Sequence, residues 1–487
     1  MEKWAEQSAV ALVNAIQEKK ISACELMEYF IERTERLNPE INAIVAKGYD
    51  QARKKAIDAD KALARGESMG PLHGLPMTLK DNLQIIGMPA TYGSELLAEF
   101  MPTENSDVTE SLLDAGAIVF GKTNLPLFAM DAQTFNDVYG QSNNPWDTSR
   151  TPGGSSGGAA AALAAGLTGL EIGNDIGGSI RLPAHFCGVY GHKPSYNIVS
   201  MHGAKFPLIP IDTKFPADID LAVNGPLARS AEDLKLAMDV VVGAPSYQRK
   251  AIKISLPESR KQILSEFKVG VWIDDPLFPP DSDSGAVLSD FIDRLAETGV
   301  TLVNKKPNID LRTSHELRAA LAISALSLSG PHEEYLKALE DRNSDDEYAQ
   351  FWGKSMTMEH RDWLFLDYIR SFERQQWDDY FNDVDVMLCP VASIPAHPHD
   401  HTPIETRTVQ FNGETANYLD VVIPWNALSL VSYLPATVVP AGFTPGNLPV
   451  GIQIIGPYLE DLTAIQFAIN LEKEIIGPFQ LPSAFDS

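Results

Sequence analysis

The chain has 487 residues, 44 % hydrophobic and 21 % charged, with 39 Lys and Arg against 65 Asp and Glu for a formal net charge of −26. That length buries a large core, while the acidic balance argues against a nucleic-acid or anionic-membrane partner and steers anionic substrates away. Three scattered cysteines (Cys24, Cys187, Cys389) argue against a disulfide framework or zinc site, and the absence of a signal-peptide run or of about 18 consecutive apolar residues leads to a reducing cytoplasm as the expected location.

The first hundred residues read as amphipathic helices. Leu12, Val13 and Ile16 recur at helical spacing. Ser22 and Glu25 form a capping-box pattern ahead of Leu26, Phe30 and Leu37, and Asn38-Pro39 is expected to stop that helix. A third helix is predicted from Asp50 to Arg65. Leu75–Leu79 and Ala117–Phe120 read as short buried strands ending in polar turns. Ala159–Ala165 is an alanine-rich helix that starts directly after a glycine turn. The texture changes between about 244 and 380, where charge rises and Leu317–Leu328 and Glu359–Arg374 read as helices of a cap. Strand-like runs return at Val269–Ile273, Val384–Cys389, Ala436–Val439 and Val450–Ile455. Strands mixed with helices from end to end predict an α/β architecture.

Three segments carry the chemistry. The turn Gly173-Asn174-Asp175-Ile176-Gly177-Gly178-Ser179 puts two residues without side chains ahead of a serine. Backbone N–H groups in such a turn converge on one point, as an oxyanion hole requires, although a tight turn closing a helix has the same composition. The turn Gly153-Gly154-Ser155-Ser156-Gly157-Gly158 lies earlier, with Ser155 and Ser179 being 24 residues apart. A linker is disfavoured there by the apolar helix that follows, and a phosphate loop by the missing lysine. The G-x-S-x-G elbow of α/β-hydrolases needs a preceding strand, whereas Asn143–Pro152 reads as loop. Lys80 follows an apolar strand: as a surface residue it is a solvated charge, and as a buried one it is a neutral base. Together the segments offer a nucleophile, a proton relay, a base and an oxyanion hole without a metal or a histidine.

These segments resemble the amidase signature family, with its Ser–cis-Ser–Lys triad. Gly74–Asn82 is similar to the family's lysine segment. Asn143-Asn144-Pro145-Trp146 with Thr151–Gly158 is similar to its cis-serine loop, and Gly173–Ser195 to its nucleophile segment. Asn224–Ser230 and Leu448–Gln453 are further family-like stretches, and the likeness is weakest from about 245 to 420. The resemblance implies one amidase-signature domain over 1–487, a large mixed sheet covered by helices on both faces. Within it, 1–70 would form N-terminal helices, 71–243 the catalytic core, 244–380 a helical cap and 381–487 a return to the sheet. It also implies roles: Ser179 as nucleophile, Ser155 as relay on a cis peptide with Gly154, and Lys80 as base. The N–H groups of Ile176, Gly177, Gly178 and Ser179 would form the oxyanion hole. Ser156, Asp175 and Arg181 would support the network through structural hydrogen bonds.

The sequence departs from the family's habit at Asn174, Leu127, His185 and His192, and both histidines are read as structural. His397, His399 and His401 alternate in a proline-containing loop, read as solvated rather than metal-binding. Neither a metal nor a cofactor is expected. The implied function is hydrolysis of small amides, with ester or carbamate cleavage at the same site, by a stand-alone enzyme that could form a homodimer. Met130, Asp131, Tyr418 and Trp425 are the expected substrate contacts. The alternatives are the glutamine-hydrolysing component of a tRNA-dependent amidotransferase, disfavoured by the charge and by the divergent stretch around Phe206-Pro207-Leu208-Ile209-Pro210, and a catalytically silent binding protein on the same scaffold.

Overall fold

The computed structural model describes residues 4–204, 219–328 and 332–486; the stretch Phe206–Pro210 lies outside them. An eight-stranded mixed sheet forms its centre. From one edge, the strands are Thr301–Val303, Lys268–Val271, Val386–Pro390, Pro449–Ile455, Ala436–Phe443, Tyr190–Lys193, Val223–Ala228 and Glu171–Asp175. Successive side chains along a strand point to opposite faces, and here the two faces feed different cores. Val386 and Leu388, with Val450, Ile452 and Ile454, join Leu234, Phe291 and Phe467 in one cluster. The intervening Met387 and Cys389 turn to the other face, beside Trp377 and Trp425. Helices Ala231–Val241, Ser282–Glu297 and Asp461–Leu471 cover the first face, and Arg181–Cys187 and Pro424–Val431 the second. Burial on both faces explains why these strands read as continuous apolar runs instead of alternating ones.

A three-stranded sheet pairs Ile44–Lys47, Ile118–Thr123 and Pro76–Lys80 in that order, and the N-terminal helices pack on it. The capping box forms: Ser22 Oγ accepts the Glu25 N–H at 3.1 Å, and Glu25 Oε2 accepts the Ser22 N–H at 2.9 Å. The expected stop at Asn38-Pro39 is displaced, because the helix runs Ala23–Ile41 with Pro39 inside it. Its end is set by Asn42, which is left-handed at φ 53°, and by Asn38, whose Oδ1 accepts the N–H groups of Ala43 and Ile44. A proline in the last turn forfeits one backbone bond, while the Asn38 side chain caps the two N–H groups just beyond the helix.

The interval 244–380 holds helices Ser282–Glu297, Leu311–Ala325, His332–Asp341, Glu347–Met356 and His360–Tyr380. It is more than a cap, since its strands Lys268–Val271 and Thr301–Val303 form one edge of the main sheet. No helix among the described residues is long and apolar enough to cross a membrane.

Candidate active site

Strand geometry delivers the lysine. Pro76–Lys80 is wholly buried, and Lys80 sits at its C-terminal end. Its Nζ lies 2.7 Å from Ser155 Oγ, 3.0 Å from Ser156 Oγ and 2.7 Å from Asn174 Oδ1. Burial pulls its pKa down to about 7, against the opposing pull of Asp175 and Glu171. Near neutral pH the amine is therefore available as a base.

The proton inventory at Nζ is restrictive. A neutral amine has two N–H groups and one lone pair. The Asn174 amide donates its Nδ2–H to Asn82 Oδ1 at 2.9 Å, so its Oδ1 faces Lys80 purely as an acceptor. The Ser156 hydroxyl donates to the Asn174 backbone carbonyl at 3.4 Å and likewise accepts from Nζ. Both N–H groups are then used, and the lone pair is left for the Ser155 hydroxyl. Asn82 and Asn174 are the parts that sequence reasoning missed. The replacement of a small hydroxyl residue by Asn174 was the available signal.

Both turns pack against each other, since the Ser156 N–H donates to the Ser179 carbonyl at 3.1 Å. The Gly154–Ser155 peptide is cis. Gly154 has no room for a side chain, as a Cβ there would stand 2.5 Å from the Asp131 carbonyl oxygen. Ser155 and Ser179 line one cleft with Asn82, Tyr92, Phe128, Asn174, Ile176, Met201, Ile219, Ala222 and Leu326. The two hydroxyls share that cleft without a hydrogen bond to each other. Catalytic hydrogen bonds often tighten only when substrate binds.

The turn that carries Ser179 is held by Asp175. Its carboxylate accepts the N–H groups of Gly178 at 2.8 Å and Ile180 at 3.1 Å, and pairs with Arg181 at 2.9 Å. Burial would raise that carboxyl, but Arg181, Lys193 and the Gly178 N–H together hold it at about 2. Arg181 also donates to the Asn426 carbonyl, Ser429 and Gln453. The expected oxyanion group is corrected here: the Gly178 N–H is already committed to Asp175, which leaves those of Ile176, Gly177 and Ser179.

The expected substrate contacts are corrected as well. Asp131 is engaged by Arg407 at 2.8 Å and by the Tyr418 hydroxyl at 3.3 Å. Tyr418 and Trp425 are buried, the latter donating its indole N–H to the Phe278 carbonyl at 2.9 Å. Met130 lies at the surface, and none of the four lines the cleft. Large aromatic side chains gain more from the core than from a wet pocket, and that preference decided their position. Tyr92, Phe128, Met201 and Leu326 supply the apolar wall instead.

The histidines hold structure. His185 Nδ1 accepts the Gly451 N–H at 2.7 Å while Nε2 faces the Ile394 carbonyl at 3.0 Å, and burial drives its pKa down to about 4. His192 bridges Thr437 and Asp461. His397 packs its ring edge-on to Phe186 and Tyr418, and His401 stacks on Phe135. No cluster of three or more potential metal ligands occurs among the described residues.

A family model described as Amidase matches residues 25–464. A relative from Synechococcus sp. (strain CC9605), named as one of the subunits of glutamyl-tRNA(Gln) amidotransferase, is 32 % identical across 94 % of this chain and 94 % of its own length. A relative of the same name from Acaryochloris marina (strain MBIC 11017) is 31 % identical across 96 % of this chain and 97 % of its own. Among solved structures, that of an amidase has a TM-score of 0.77 at 26 % identity, covering 96 % of this chain and 99 % of its own. A bacterial aryl acylamidase has a TM-score of 0.79 at 24 % identity, covering 99 % of this chain and 98 % of its own; at that identity the likeness is one of fold.

Proposed function

Because this chain belongs to the amidase signature family of amide carbon–nitrogen hydrolases, we propose that it is a stand-alone amidase working through an acyl-enzyme on Ser179. The observation that carries this reading is the fully buried Lys80, 2.7 Å from Ser155, which in turn lines one cleft with Ser179. Neutral Lys80 takes the Ser155 proton while Ser155 takes that of Ser179. The Ser179 oxygen then bonds to the amide carbon. The carbonyl oxygen gathers negative charge facing the N–H groups of Ile176, Gly177 and Ser179, where each donor contributes about 3–4 kcal/mol to barrier lowering. The carbon–nitrogen bond breaks as Ser155 returns a proton to the leaving amine. Water, deprotonated by the same route, releases the acid and restores Ser179. Small amides are the substrate class, with esters and carbamates open to the same attack, and a cytoplasmic location is part of the reading.

The test is intact mass and peptide mapping after fluorophosphonate treatment of wild type and Ser179→Ala. One adduct on Ser179, absent from the variant, is expected. An adduct on Ser155 would exchange the two roles, and no adduct with no amide turnover would favour a silent binding protein.

A second reading draws on the relatives' names. Proteins named as glutamyl-tRNA(Gln) amidotransferase subunits match nearly the whole chain at 30–32 % identity, which favours a glutamine-hydrolysing component of such a complex. The net charge of −26 favours the stand-alone enzyme. Glutaminase activity that appears only with co-purifying protein partners would decide for the second reading.

A further inference from the structure

One guanidinium beside the nucleophile turn has nothing among the described residues to bind. Arg318 belongs to the helix Leu311–Ala325, which Leu317 and Leu321 anchor against Leu430 and Val431. A Cβ built on Gly177 would find Arg318 Nη1 at 3.8 Å and no other atom within 4 Å. That open space adjoins the cleft, since Ile176 on the turn and Leu326 just beyond the helix both line it.

The other enclosed arginines are all satisfied. Arg181 pairs with Asp175, Arg407 with Asp131, and Arg370 with Asp220, while Arg229 donates to the carbonyls of Gln7 and Thr168. Arg318 makes no hydrogen bond or ion pair with any described residue, and its Nε is enclosed without a partner. Burial lowers its pKa only to about 10, so it stays cationic at neutral pH. The group that acts on it with opposite sign is Tyr348, whose own pKa burial raises to about 12, so it is an uncharged phenol there. The Tyr348 hydroxyl also lacks a partner among the described residues. Arg318 is half-buried: its Nε is enclosed without a partner, while its terminal nitrogens are not enclosed, so a cation partly withdrawn from water is available to a ligand that supplies the counter-charge.

We propose that Arg318 binds a carboxylate on the acyl half of the substrate, so that half-amides of dicarboxylic acids are preferred. The acyl half is the one concerned because the leaving amine must meet Ser155 to be protonated. A guanidinium matches a carboxylate in geometry as well as charge. The acidic surface disfavours anions at long range, and Arg318 reverses that preference locally, beside the Gly177 turn next to the cleft. This assignment rests on the Ser179 reading above.

The experiment compares kcat/KM for glutaramate, its methyl ester at the far carboxylate, butyramide, and N-butyryl-β-alanine, in wild type, Arg318→Met and Arg318→Lys. Charge-assisted hydrogen bonds of this kind give a preference for glutaramate over its ester of roughly 10- to 100-fold. That ratio is expected to fall to about one in Arg318→Met and to be partly kept in Arg318→Lys. A wild-type ratio near one, a ratio indifferent to both substitutions, or a preference for the carboxylate on the amine side would overturn the assignment. Fluorophosphonate labelling separates it from the reading beneath it. If Ser179 is labelled but no probe is hydrolysed, protection from labelling by glutarate in wild type and not in Arg318→Met supports the assignment, and absence of protection refutes it. Failure of Ser179 to label removes the underlying reading and the assignment with it.

Discussion

Replacing Asn174 by Ala tests the proton accounting at Lys80. The wild-type kcat/KM for an amide should rise with pH and level off, with its inflection near the Lys80 pKa of about 7, because only the neutral amine accepts the Ser155 proton. Asn174→Ala removes the 2.7 Å acceptor from Nζ and leaves Asn82 Oδ1 without its donor. A hydrogen bond to a charged group is worth about 1.5–3 kcal/mol, so once the amine can rotate its lone pair away from Ser155 the loss should be roughly 10- to 150-fold. The direction of the pH shift is the sharper readout. Asn174 Oδ1 stabilises the ammonium more than the amine, so its removal lowers the Lys80 pKa further and moves the limb to lower pH. Asn174→Asp does the reverse, because a carboxylate beside the ammonium raises its pKa and moves the limb to higher pH. Asn174→Thr restores an acceptor and should recover much of the rate. The assay is ammonia release over about pH 5 to 10, with kcat and KM separated. If both Ala and Asp variants keep the wild-type limb, Lys80 is not the titrating base and the reasoning fails.

Three further outcomes are expected. Ser155→Ala should slow amide hydrolysis far more than hydrolysis of a p-nitrophenyl ester, because an amine leaving group needs a proton and a phenolate does not; equal losses on both substrates would remove Ser155 from the proton path. Asp175→Asn leaves Arg181 without its charge partner in a fully buried site, so unfolding by denaturant should show a loss of about 3–5 kcal/mol. Asp175 is held at about 2, below its ordinary value, so its contribution is complete above that ordinary value and is lost as pH falls through about 2; the deficit should be constant near neutrality, and a deficit that varies there would contradict the assignment. Gly154→Ala drives a methyl group into the backbone of Asp131, Ala132 and Gln133, and full activity with an unmoved melting temperature would show that this contact yields easily.

Much of the framework is legible along the chain. The capping box at Ser22, the strands read at Leu75–Leu79 and Val384–Cys389 and found at Pro76–Lys80 and Val386–Pro390, and the two glycine turns are local signals, in which backbone freedom or hydrophobic period acts over a few residues. The helix end near Pro39 is misread from sequence because Asn38 caps the backbone of Ala43 and Ile44. Tyr418 and Trp425 are misassigned because aromatic residues look alike in sequence whether they line a cleft or fill a core. Arg318 leaves one trace, a charge embedded in the apolar run Leu317–Leu328, and nothing in that run tells a snorkelling arginine from one beside the Gly177 turn.

The sequence alone determined the chemistry on offer: two serines on glycine turns, a lysine on an apolar strand, and no need for a metal. It could do so because nucleophile, base and turn are properties of residue type and near neighbours. Only the tertiary structure decided which side chains meet. Lys80, Ser155 and Asn174 come from three separate segments. Their approach depends on how the small sheet packs on the main one. The loss of solvent there lowers the Lys80 pKa to about 7, which leaves the amine able to accept a proton near neutrality.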